Sequence, residues 1–383
     1  MKRKDFLQLS AAGGMSLALW SGIASCGRSV GPPKWKGKRL VLIQLVGGHD
    51  GLFAFAPRGH EVLEQKRPNL NQLVVQNGVD ISDAWVLNGM LKGLSNLIEN
   101  GELLLIPGVG YDNPNRSHFK AQEFWDTGAV VDRGKQNLRG TGWLGRFWES
   151  ELHKKQEREF PFINLHSGRT LYDRGLQTKA YNITDLEPLK WYADYFEDFI
   201  NSGGTDQLVG EEGLIYLEMQ KQFKQLKWLV NTSSFSTFTD GSLTQQLKRA
   251  TEVIQSDLPY AAIHTQLGGF DTHGGQLERL TDLYPDFAGG LAYLSDKLRE
   301  SGHWKDTLVF VYSDFGRTID ENGSGGTDHG YSGLSMLAGG DLSRFEHYQK
   351  PKELKFTEVR GELFLDYTTD YRDLQKEVSQ FLV

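Results

Sequence analysis

The sequence has 383 residues, 39% of them hydrophobic and 24% charged, which is the balance of a globular protein with a large apolar core. Its formal net charge of −7 and the lack of a long basic stretch disfavour nucleic acid as a partner. The single cysteine excludes an intrachain disulfide.

The N-terminal segment has the features of an export signal. Three basic residues, Lys2–Lys4, precede an uncharged stretch from Leu9 to Ser25 that is short and too rich in glycine and serine for a membrane span. RKDFL resembles the twin-arginine export motif, with lysine in place of the second arginine, and IASC resembles a lipobox. We therefore expect residues 1–25 to be removed and Cys26 to carry a lipid that anchors an exported protein to a membrane of the bacterial cell envelope. The alternative for Cys26 is a chance free or buried thiol.

After a polar linker over residues 27–38, apolar and β-branched runs predict a sheet. Short runs of this kind are typical of strands that are covered on both faces. Helix-like stretches precede the second and the fourth run, and this alternation is typical of a largely parallel sheet with helices on both faces. We therefore predict an α/β fold for residues 39–383 as one domain. The five predicted strands are Leu40–Val46, Glu102–Gly110, Ala261–Gly269, Thr307–Ser313 and Leu334–Gly340.

The middle of the chain has a different pattern. Residues 186–200 and 212–230 have the apolar spacing of amphipathic helices, and residues 231–242 are typical of a loop. We interpret the range of about 165–255 as a helical insertion in the α/β domain.

Acids, histidines and arginines follow the predicted strands. Because the carboxyl ends of parallel strands meet at one edge of a sheet, we expect these side chains to lie close together. Several carboxylates at short range repel one another unless a cation compensates them, and mixed carboxylate and imidazole ligands suit zinc, manganese or iron better than calcium. The sequence thus predicts one or two divalent transition metal ions at this edge, with zinc or manganese favoured. The residues concerned are Asp50, Arg116, Ser117, His118, Asp271, His273, Asp314, Arg317, Asp328 and His329.

These residues also have structural alternatives, which the sequence leaves open. A serine or aspartate just before a helix is often an N-cap, and an acid close to an arginine is often in a salt bridge. His264 lies inside an apolar run and is interpreted as a core histidine. The alternatives are turn or capping roles for Asp50, Ser117, Asp271, His273 and His329, and a salt bridge between Asp314 and Arg317.

Several motifs together resemble a bacterial family of domains of unknown function, numbered 1501. The motifs are KRKDFLQLSAAGG, VGGHDGLFAF, NRSHFKAQEFWDTG, GGFDTHGGQ, YSDFGRTIDENGSGGTDHG and LAGG, and they extend from the signal to about Gly340. Members of that family resemble the alkaline phosphatase and sulfatase superfamily. The resemblance implies an alkaline-phosphatase-like mixed, mostly parallel sheet sandwiched by helices, with a two-metal site at the strand ends.

The resemblance also implies roles for individual residues. Ser117 falls where the nucleophile is expected. Phe315 stands where a metal-binding histidine is expected, so the second metal site would be incomplete, lost, or rebuilt by His118 or His49. The implied metal ligands are Asp50, His118, Asp271, His273, Asp314, Asp328 and His329, with Asp328 either a ligand or the partner of one.

We therefore predict an exported metal-dependent hydrolase of phosphate or sulfate esters, with sulfated or phosphorylated glycans among the candidate substrates. The metal would polarise the ester and lower the pKa of Ser117 or of a water molecule, and Arg116 or Arg317 would bind the non-bridging oxygens. The alternative is a degenerate member that binds envelope glycans or a partner protein without catalysis. A third hypothesis is an assembly factor that acts with the family numbered 1800, which is often encoded beside such proteins.

Overall fold

The computed structural model describes most of the chain, in four stretches. The predicted signal peptide, Cys26 and both predicted helices between residues 186 and 230 lie outside this part of the chain, as does the loop predicted from residue 231 up to residue 241. The described residues are 35–129, 140–152, 161–182 and 242–383, without residues 167, 169, 177, 179 and 259.

The strands include all five that the sequence predicts, each with bounds within two residues at its ends. They form because apolar, β-branched runs are stable where both faces of a sheet are covered. In chain order they are β1 (Arg39–Leu45), β2 (Phe55–Pro57), β3 (Val79–Ser82), β4 (Trp85–Leu87), β5 (Leu103–Gly110), β6 (Phe162–Asn164), β7 (Ala180–Asn182), β8 (Ala262–Leu267), β9 (Thr307–Ser313), β10 (Arg317–Glu321), β11 (Thr327–His329), β12 (Gly333–Gly339), β13 (Phe356–Val359), β14 (Glu362–Leu365) and β15 (Thr369–Asp370).

Helices occupy much of the remaining described chain. The longest has apolar residues spaced three or four apart, which gives it one face to bury. The α-helices are α1 (Gly51–Ala54), α2 (Glu61–Lys66), α3 (Pro68–Asn77), α4 (Ser95–Glu99), α5 (His118–Thr127), α6 (Trp143–Phe147), α7 (Leu243–Gln255), α8 (Gln276–Glu300) and α9 (Tyr371–Gln380). Gly89–Leu94, Trp304–Asp306 and Ser343–Tyr348 are 3₁₀ helices, and Trp148–Leu152 is a π-helical turn.

The central sheet has the order β15-β5-β12-β9-β1-β8-β6-β7. All neighbouring strands in it pair in parallel except β12, which is antiparallel to both β5 and β9. Smaller sheets are formed by β2-β4-β3, by β10 with β11 and by β13 with β14. The predicted mixed, mostly parallel sheet is therefore confirmed.

Helices cover both faces of this sheet, as predicted. Leu40 and Leu42 of β1 pack on one face in a cluster with residues of α5, α6 and α9. Val41 and Ile43 point to the other face, because side chains alternate along a strand, and α7 and α8 pack together on that side. His264 in β8 is fully buried and its Nδ1 lies 2.9 Å from His166 Nε2, which confirms the interpretation of His264 as a core histidine.

The chain divides into two compact units. One consists of residues 34–184 and 238–383, and the other, of residues 1–33 and 185–237, lies outside the described residues. Trp35, in the predicted linker, is buried and its ring packs against Trp148. Both described ends of the predicted insertion belong to the first unit, because β7 pairs with β6 and α7 packs on α8. Of the helices in the described part of the chain, none combines the length and the apolar character that a membrane span requires.

A buried carboxyl group at the end of α5 ties this helix to a neighbouring loop. Asp126 is 6% exposed, and its Oδ2 accepts a hydrogen bond of 2.8 Å from the Leu171 backbone. Burial raises the pKa of the Asp126 carboxyl to about 7, because the charged form is poorly solvated there. Since the folded pKa lies above the ordinary value, Asp126 favours folding at low pH, and this contribution is lost as the pH rises through about 7.

We expect Asp126→Asn to stabilise the protein at alkaline pH. The amide keeps an acceptor for the Leu171 backbone and removes the cost of ionising a buried group. Urea unfolding at about pH 5 and about pH 8 should show that the variant gains more stability over the wild type at the higher pH. A difference between the two proteins that does not change with pH would contradict this account of Asp126.

Candidate metal centre

The predicted polar residues lie at the carboxyl edge of the central sheet. His118 begins α5 after β5, Asp271 and His273 follow β8, and Asp314 follows β9. His329 ends β11, which pairs with β10 and thereby returns to the same edge. The parallel arrangement of the strands therefore brings together residues that are far apart in the sequence, as predicted.

Three side chains from three different segments meet at this edge. His118 Nε2 lies 3.0 Å from His329 Nε2 and 3.5 Å from Asp271 Oδ1, and His329 Nε2 lies 3.1 Å from the same oxygen. Metal bonds of about 2.0–2.2 Å place neighbouring ligand atoms roughly 3 Å apart. One atom from each residue lies within 4.8 Å of the other two, which is close enough for all three to bind one ion.

His273 is a fourth candidate ligand. Its Nε2 lies 2.9 Å from His329 Nε2 and 3.0 Å from Asp271 Oδ1, so it contacts two of the three convergent residues. Catalytic zinc sites hold three protein ligands and leave one position for water or substrate. His118, Asp271 and His329 are therefore sufficient for a site of that kind.

The other ring nitrogen of two of these histidines contacts a hydrogen-bond acceptor. His329 Nδ1 lies 2.8 Å from the carbonyl oxygen of Arg116, which can only accept, so this nitrogen carries the proton. His273 Nδ1 lies 2.7 Å from Asp328 Oδ1. Asp328 was predicted to be either a metal ligand or the partner of one, and this contact supports its role as a partner.

Asp314, predicted as a metal ligand, instead contacts His118. Its side chain is fully buried, and Oδ2 accepts a hydrogen bond from His118 Nδ1. Oδ1 accepts from the Gly47 backbone at 3.2 Å, from the Gly48 backbone at 2.7 Å and from the Ser313 hydroxyl at 3.0 Å. Asp314 is therefore placed to orient the His118 ring. The predicted alternative, a salt bridge between Asp314 and Arg317, is not observed, since Arg317 pairs with Asp271 instead.

When Nδ1 carries the proton, the Nε2 lone pairs of His118 and His273 thus both lie beside His329 Nε2. Lone pairs separated by 2.9 Å and 3.0 Å repel each other unless a proton or a metal ion lies between them. An acceptor on the second ring nitrogen is the usual device that fixes the tautomer and orientation of a metal-binding histidine. The donor set of imidazoles and one carboxylate fits zinc or another divalent transition metal.

The same contacts shift the pKa values of the convergent residues. The hydrogen bond to Asp314 raises the pKa of His118 above its ordinary value, whereas burial lowers the pKa of His329. Burial alone would raise the pKa of Asp271, but hydrogen bonds from Arg317 and His329 outweigh it and hold that pKa well below its ordinary value. Asp271 is therefore ionised at neutral pH, and protons compete with a metal ion for the histidine nitrogens.

Two glycines allow the strand of His329 to approach the neighbouring segments. A Cβ atom at Gly326 would lie 2.4 Å from the Thr272 carbonyl oxygen, and one at Gly330 would lie 2.3 Å from the Arg317 carbonyl carbon. Neither distance is possible without a backbone shift. The glycine-rich segment 323–333 therefore packs closely against the loop after β8, and this contact brings His329 to the site.

Asp50, predicted as a metal ligand, lies in a buried ion pair with Arg67 and is not one of the convergent residues. Arg67 Nη1 lies 3.0 Å from Oδ1 and 3.1 Å from Oδ2, and Gln276 Nε2 donates to Oδ2 at 2.7 Å. Oδ1 also accepts from the Phe53 backbone, so Asp50 caps α1, which was its predicted alternative. Burial alone would raise the pKa of Asp50, but the charge and hydrogen bonds of Arg67 outweigh it and lower that pKa.

Arg317, predicted to bind substrate oxygens, is instead buried with its N–H groups taken. Nη2 donates to Asp271 Oδ1 at 2.6 Å, so Arg317 positions that carboxylate. Its other hydrogen bonds connect three segments at the carboxyl edge. They go to the backbone carbonyl oxygens of Gly47, Gly48, Phe270 and Thr327.

Arg116 and Ser117 remain accessible beside the site. The Arg116 side chain is 45% exposed, and its Nη1 lies 3.4 Å from Glu362 Oε2 and 3.4 Å from the His329 carbonyl oxygen. Ser117 is exposed at the N-terminus of α5, next to His118, and its hydroxyl does not cap the helix. The Ser117 side chain therefore does not have the capping role that the sequence left open.

Phe315 fills space between two of the histidines. Its ring centroid lies 4.6 Å from that of His118 and 4.8 Å from that of His329, and the side chain is buried. His49 does not join the site, since it is buried with its Nε2 3.0 Å from the Tyr284 hydroxyl. In the described part of the chain, the candidate metal ligands form one group rather than two.

Residues 232–363 match the family model described as "Protein of unknown function (DUF1501)". The match confirms, over this segment, the resemblance that the motifs indicate. It includes Asp271, His273 and His329, but it begins at residue 232 and therefore does not include His118. No curated protein matches the chain.

Three solved structures are distantly similar to the whole chain. A protein in the alkaline phosphatase superfamily from Vibrio parahaemolyticus has 13% identity and a TM-score of 0.39, with 92% of this chain and 69% of that chain covered. The zinc complex of the C-terminal periplasmic domain of EcEptC from Escherichia coli has 13% identity and a TM-score of 0.41, with 92% and 86% covered. The lipoteichoic acid synthase LtaP from Listeria monocytogenes has 12% identity and a TM-score of 0.35, with 91% and 90% covered. All three TM-scores are below 0.5, so these similarities do not assign a function to the chain.

Three residues that contact the predicted site residues were not themselves predicted from the sequence, namely Arg67, Gln276 and Glu362. Gln276 ends the GGFDTHGGQ motif, and its Oε1 accepts hydrogen bonds from Thr272 at 3.0 Å and from Thr327 at 2.8 Å. It was therefore open to prediction from its place in the motif. Arg67 and Glu362 lie in segments with no motif, and only the fold brings them to their partners.

Proposed function

We propose that the protein is a metal-dependent hydrolase of phosphate or sulfate esters. The observation that carries this proposal is the convergence of three histidine Nε2 atoms and Asp271 Oδ1, with an acceptor at each Nδ1. A purely structural cluster has no need to point several imidazole lone pairs at one another.

The residues that would hold the metal are His118, Asp271 and His329, with His273 as a further ligand. When bound, a divalent ion would supply a Lewis acid that polarises an ester oxygen and stabilises the negative charge of the leaving group. Two of the ligands are exposed by about half, since the Asp271 and His273 side chains are each 47% exposed. Substrate would therefore have access to the site from solvent.

Ser117 is the candidate nucleophile because its hydroxyl precedes a metal ligand and does not cap the helix. Its oxygen would attack phosphorus or sulfur, and the alcohol would leave with the electron pair of the broken bond and the proton lost by Ser117. Water would then displace the Ser117 oxygen, which takes a proton back and releases phosphate or sulfate. Direct attack by water is the alternative route to the same products.

Arg116 is the candidate group for binding the non-bridging oxygens of the ester. Unlike Arg317, it is partly exposed and makes two contacts of 3.4 Å, which are long for hydrogen bonds. An anionic ester offers it shorter, charge-assisted hydrogen bonds. A sulfated or phosphorylated glycan is one substrate with this chemistry.

We expect Ser117→Ala to lower ester hydrolysis by at least about 100-fold without changing the metal content, because the residue offers a nucleophile and not a ligand. Hydrolysis of p-nitrophenyl phosphate, bis-p-nitrophenyl phosphate and p-nitrophenyl sulfate should be measured with the metal-loaded protein. Ser343→Ala, at an exposed serine in a separate 3₁₀ helix, is the matched control. A wild type that carries metal but hydrolyses none of the three esters would contradict the proposed activity, whereas full activity of Ser117→Ala would contradict only the role of Ser117.

One observation favours a second function, binding without catalysis. Phe315 packs against both His118 and His329, and it takes up space beside the site that a second ion would need. Such a protein would bind an envelope glycan or a partner protein. Calorimetry distinguishes the two functions, because binding that is insensitive to chelator and to Ser117→Ala would support this second function.

The location that we propose is the bacterial cell envelope. It rests on the sequence of residues 1–26, that is, on the export signal and on a lipid at Cys26 as the membrane anchor. A protein of the family numbered 1800 remains a proposed partner, and this proposal rests on the resemblance to the family numbered 1501. Mass spectrometry of the mature N-terminus tests the lipid at Cys26 directly.

A further inference from the structure

We propose that Glu362 makes the site selective for esters that carry one negative charge, such as sulfate monoesters and phosphate diesters, over dianionic phosphate monoesters. The inference rests on the proposed hydrolase function. Glu362 lies in the β13–β14 hairpin, which contributes no candidate metal ligand. It would nevertheless determine which esters bind.

Besides a bound metal ion, few positive charges are available to an anion at this site. In the described part of the chain, two cationic side chains contact the convergent residues or their backbone, Arg116 and Arg317. The Arg317 side chain is fully buried, and it is engaged with Asp271 and with backbone carbonyls. Arg116 is therefore the one of the two that can bind a substrate oxygen.

Arg116 is held beside the site by the β13–β14 hairpin. Its guanidinium lies 5.2 Å from the centroid of the Phe364 ring, and Nη1 lies 3.4 Å from Glu362 Oε2. The Phe364 ring in turn stacks on Tyr331, with centroids 4.2 Å apart, and Tyr331 lies two residues after His329. The hairpin thus places the Glu362 carboxylate at the same guanidinium that an anionic substrate would use.

A carboxylate in this place affects mono- and dianions differently. Glu362 already compensates the single charge of Arg116, and Asp328, with 53% of its side chain exposed, adds a second negative charge at the rim. A bound metal ion attracts both classes of ester, but each additional charge on the substrate is also repelled by Glu362, and no second free arginine offsets that repulsion. Phosphate monoesters are largely dianionic above their second pKa of about 6, whereas sulfate monoesters and phosphate diesters keep one charge.

The test compares kcat/KM for p-nitrophenyl phosphate with kcat/KM for bis-p-nitrophenyl phosphate and p-nitrophenyl sulfate at about pH 8, where phosphate monoesters are dianions. Each probe has the same chemistry in wild type and variant, so a change in the ratio reports on charge. We expect Glu362→Gln to raise the ratio of dianion to monoanion turnover by about fivefold, the effect of one unit charge at about 4 Å in water. The shift should shrink at high ionic strength, because salt screens exposed charges.

Glu358→Gln is the matched control, because it removes one exposed charge from the same hairpin on the neighbouring strand β13. Glu362→Lys should shift the ratio further in the same direction. An unchanged ratio in Glu362→Gln, or an equal shift in Glu358→Gln, would overturn the proposal while leaving the hydrolase function standing. A wild type that turns over none of these esters would instead overturn the proposed function itself, and the selectivity with it.

Discussion

His329→Ala is expected to lose both bound metal and ester hydrolysis. His329 Nε2 lies within 3.1 Å of ligand atoms from three other residues, His118, Asp271 and His273, so it is central to the cluster. Changing a residue that merely orients a ligand lowers metal affinity by about 10–100-fold, so the loss of a ligand should exceed about 100-fold. The metal contributes several kcal/mol of transition-state stabilisation, and turnover should accordingly fall by about 1000-fold.

Metal titration and ester hydrolysis should be measured side by side on the purified variant. His347→Ala is the matched control, because His347 is an exposed histidine whose Nε2 pairs with Glu377 at 3.1 Å, in a different part of the described chain. Circular dichroism would show that both variants keep the fold. Wild-type metal affinity in His329→Ala would mean that the convergent nitrogens do not bind the metal.

Arg67→Ala is expected to destabilise the fold by about 3–5 kcal/mol, because it leaves a buried carboxylate without its counter-charge. The Arg67 side chain is 1% exposed and that of Asp50 is 2% exposed. Arg67 also donates to the carbonyl oxygens of Ile319 at 2.9 Å and Thr318 at 2.7 Å, so it joins α3 to the β10–β11 hairpin. Its loss should lower stability without removing a metal ligand.

Urea unfolding of Arg67→Ala measures this loss, and a double-mutant cycle with Asp50→Asn measures the coupling between the two side chains. Arg58→Ala is the matched control, since Arg58 and Asp80 form a pair with 39% and 70% of their side chains exposed, and exposed pairs contribute less than about 1 kcal/mol. If Asp50→Asn removed the metal and left stability unchanged, Asp50 would be a ligand after all and the buried ion pair would have no structural role.

The strands and the edge that carries the site could be predicted from the sequence because they depend on local patterns. Runs such as β1 and β9 are uniformly apolar, and a parallel sheet brings the residues after each strand to one edge. His118, Asp271 and His273 follow strands of that sheet, whereas His329 lies in the segment after β9 that returns to the same edge. The strand ends that contribute to the candidate site could therefore be predicted from the sequence.

The division of these polar residues into ligands and supports could not be predicted in the same way. Asp314 and Asp50 each follow a buried strand, yet one binds a histidine and the other an arginine. The deciding partners lie in other segments of the chain, since His118 contacts Asp314 from 196 residues away and Arg67 contacts Asp50 from the N-cap position of α3. The role of a carboxylate at a strand end depends on the side chain that contacts it, and the tertiary fold determines which side chain that is.

Metal titration of the wild-type apoprotein tests the central claim most directly. After chelator treatment and its removal, zinc or manganese should be added while bound metal is followed by calorimetry and by elemental analysis. The account predicts saturation at one divalent ion per chain for the wild type and no saturable binding for His329→Ala. A wild type that binds no transition metal, or whose affinity for the metal is no higher than that of His329→Ala, would contradict the existence of the metal centre.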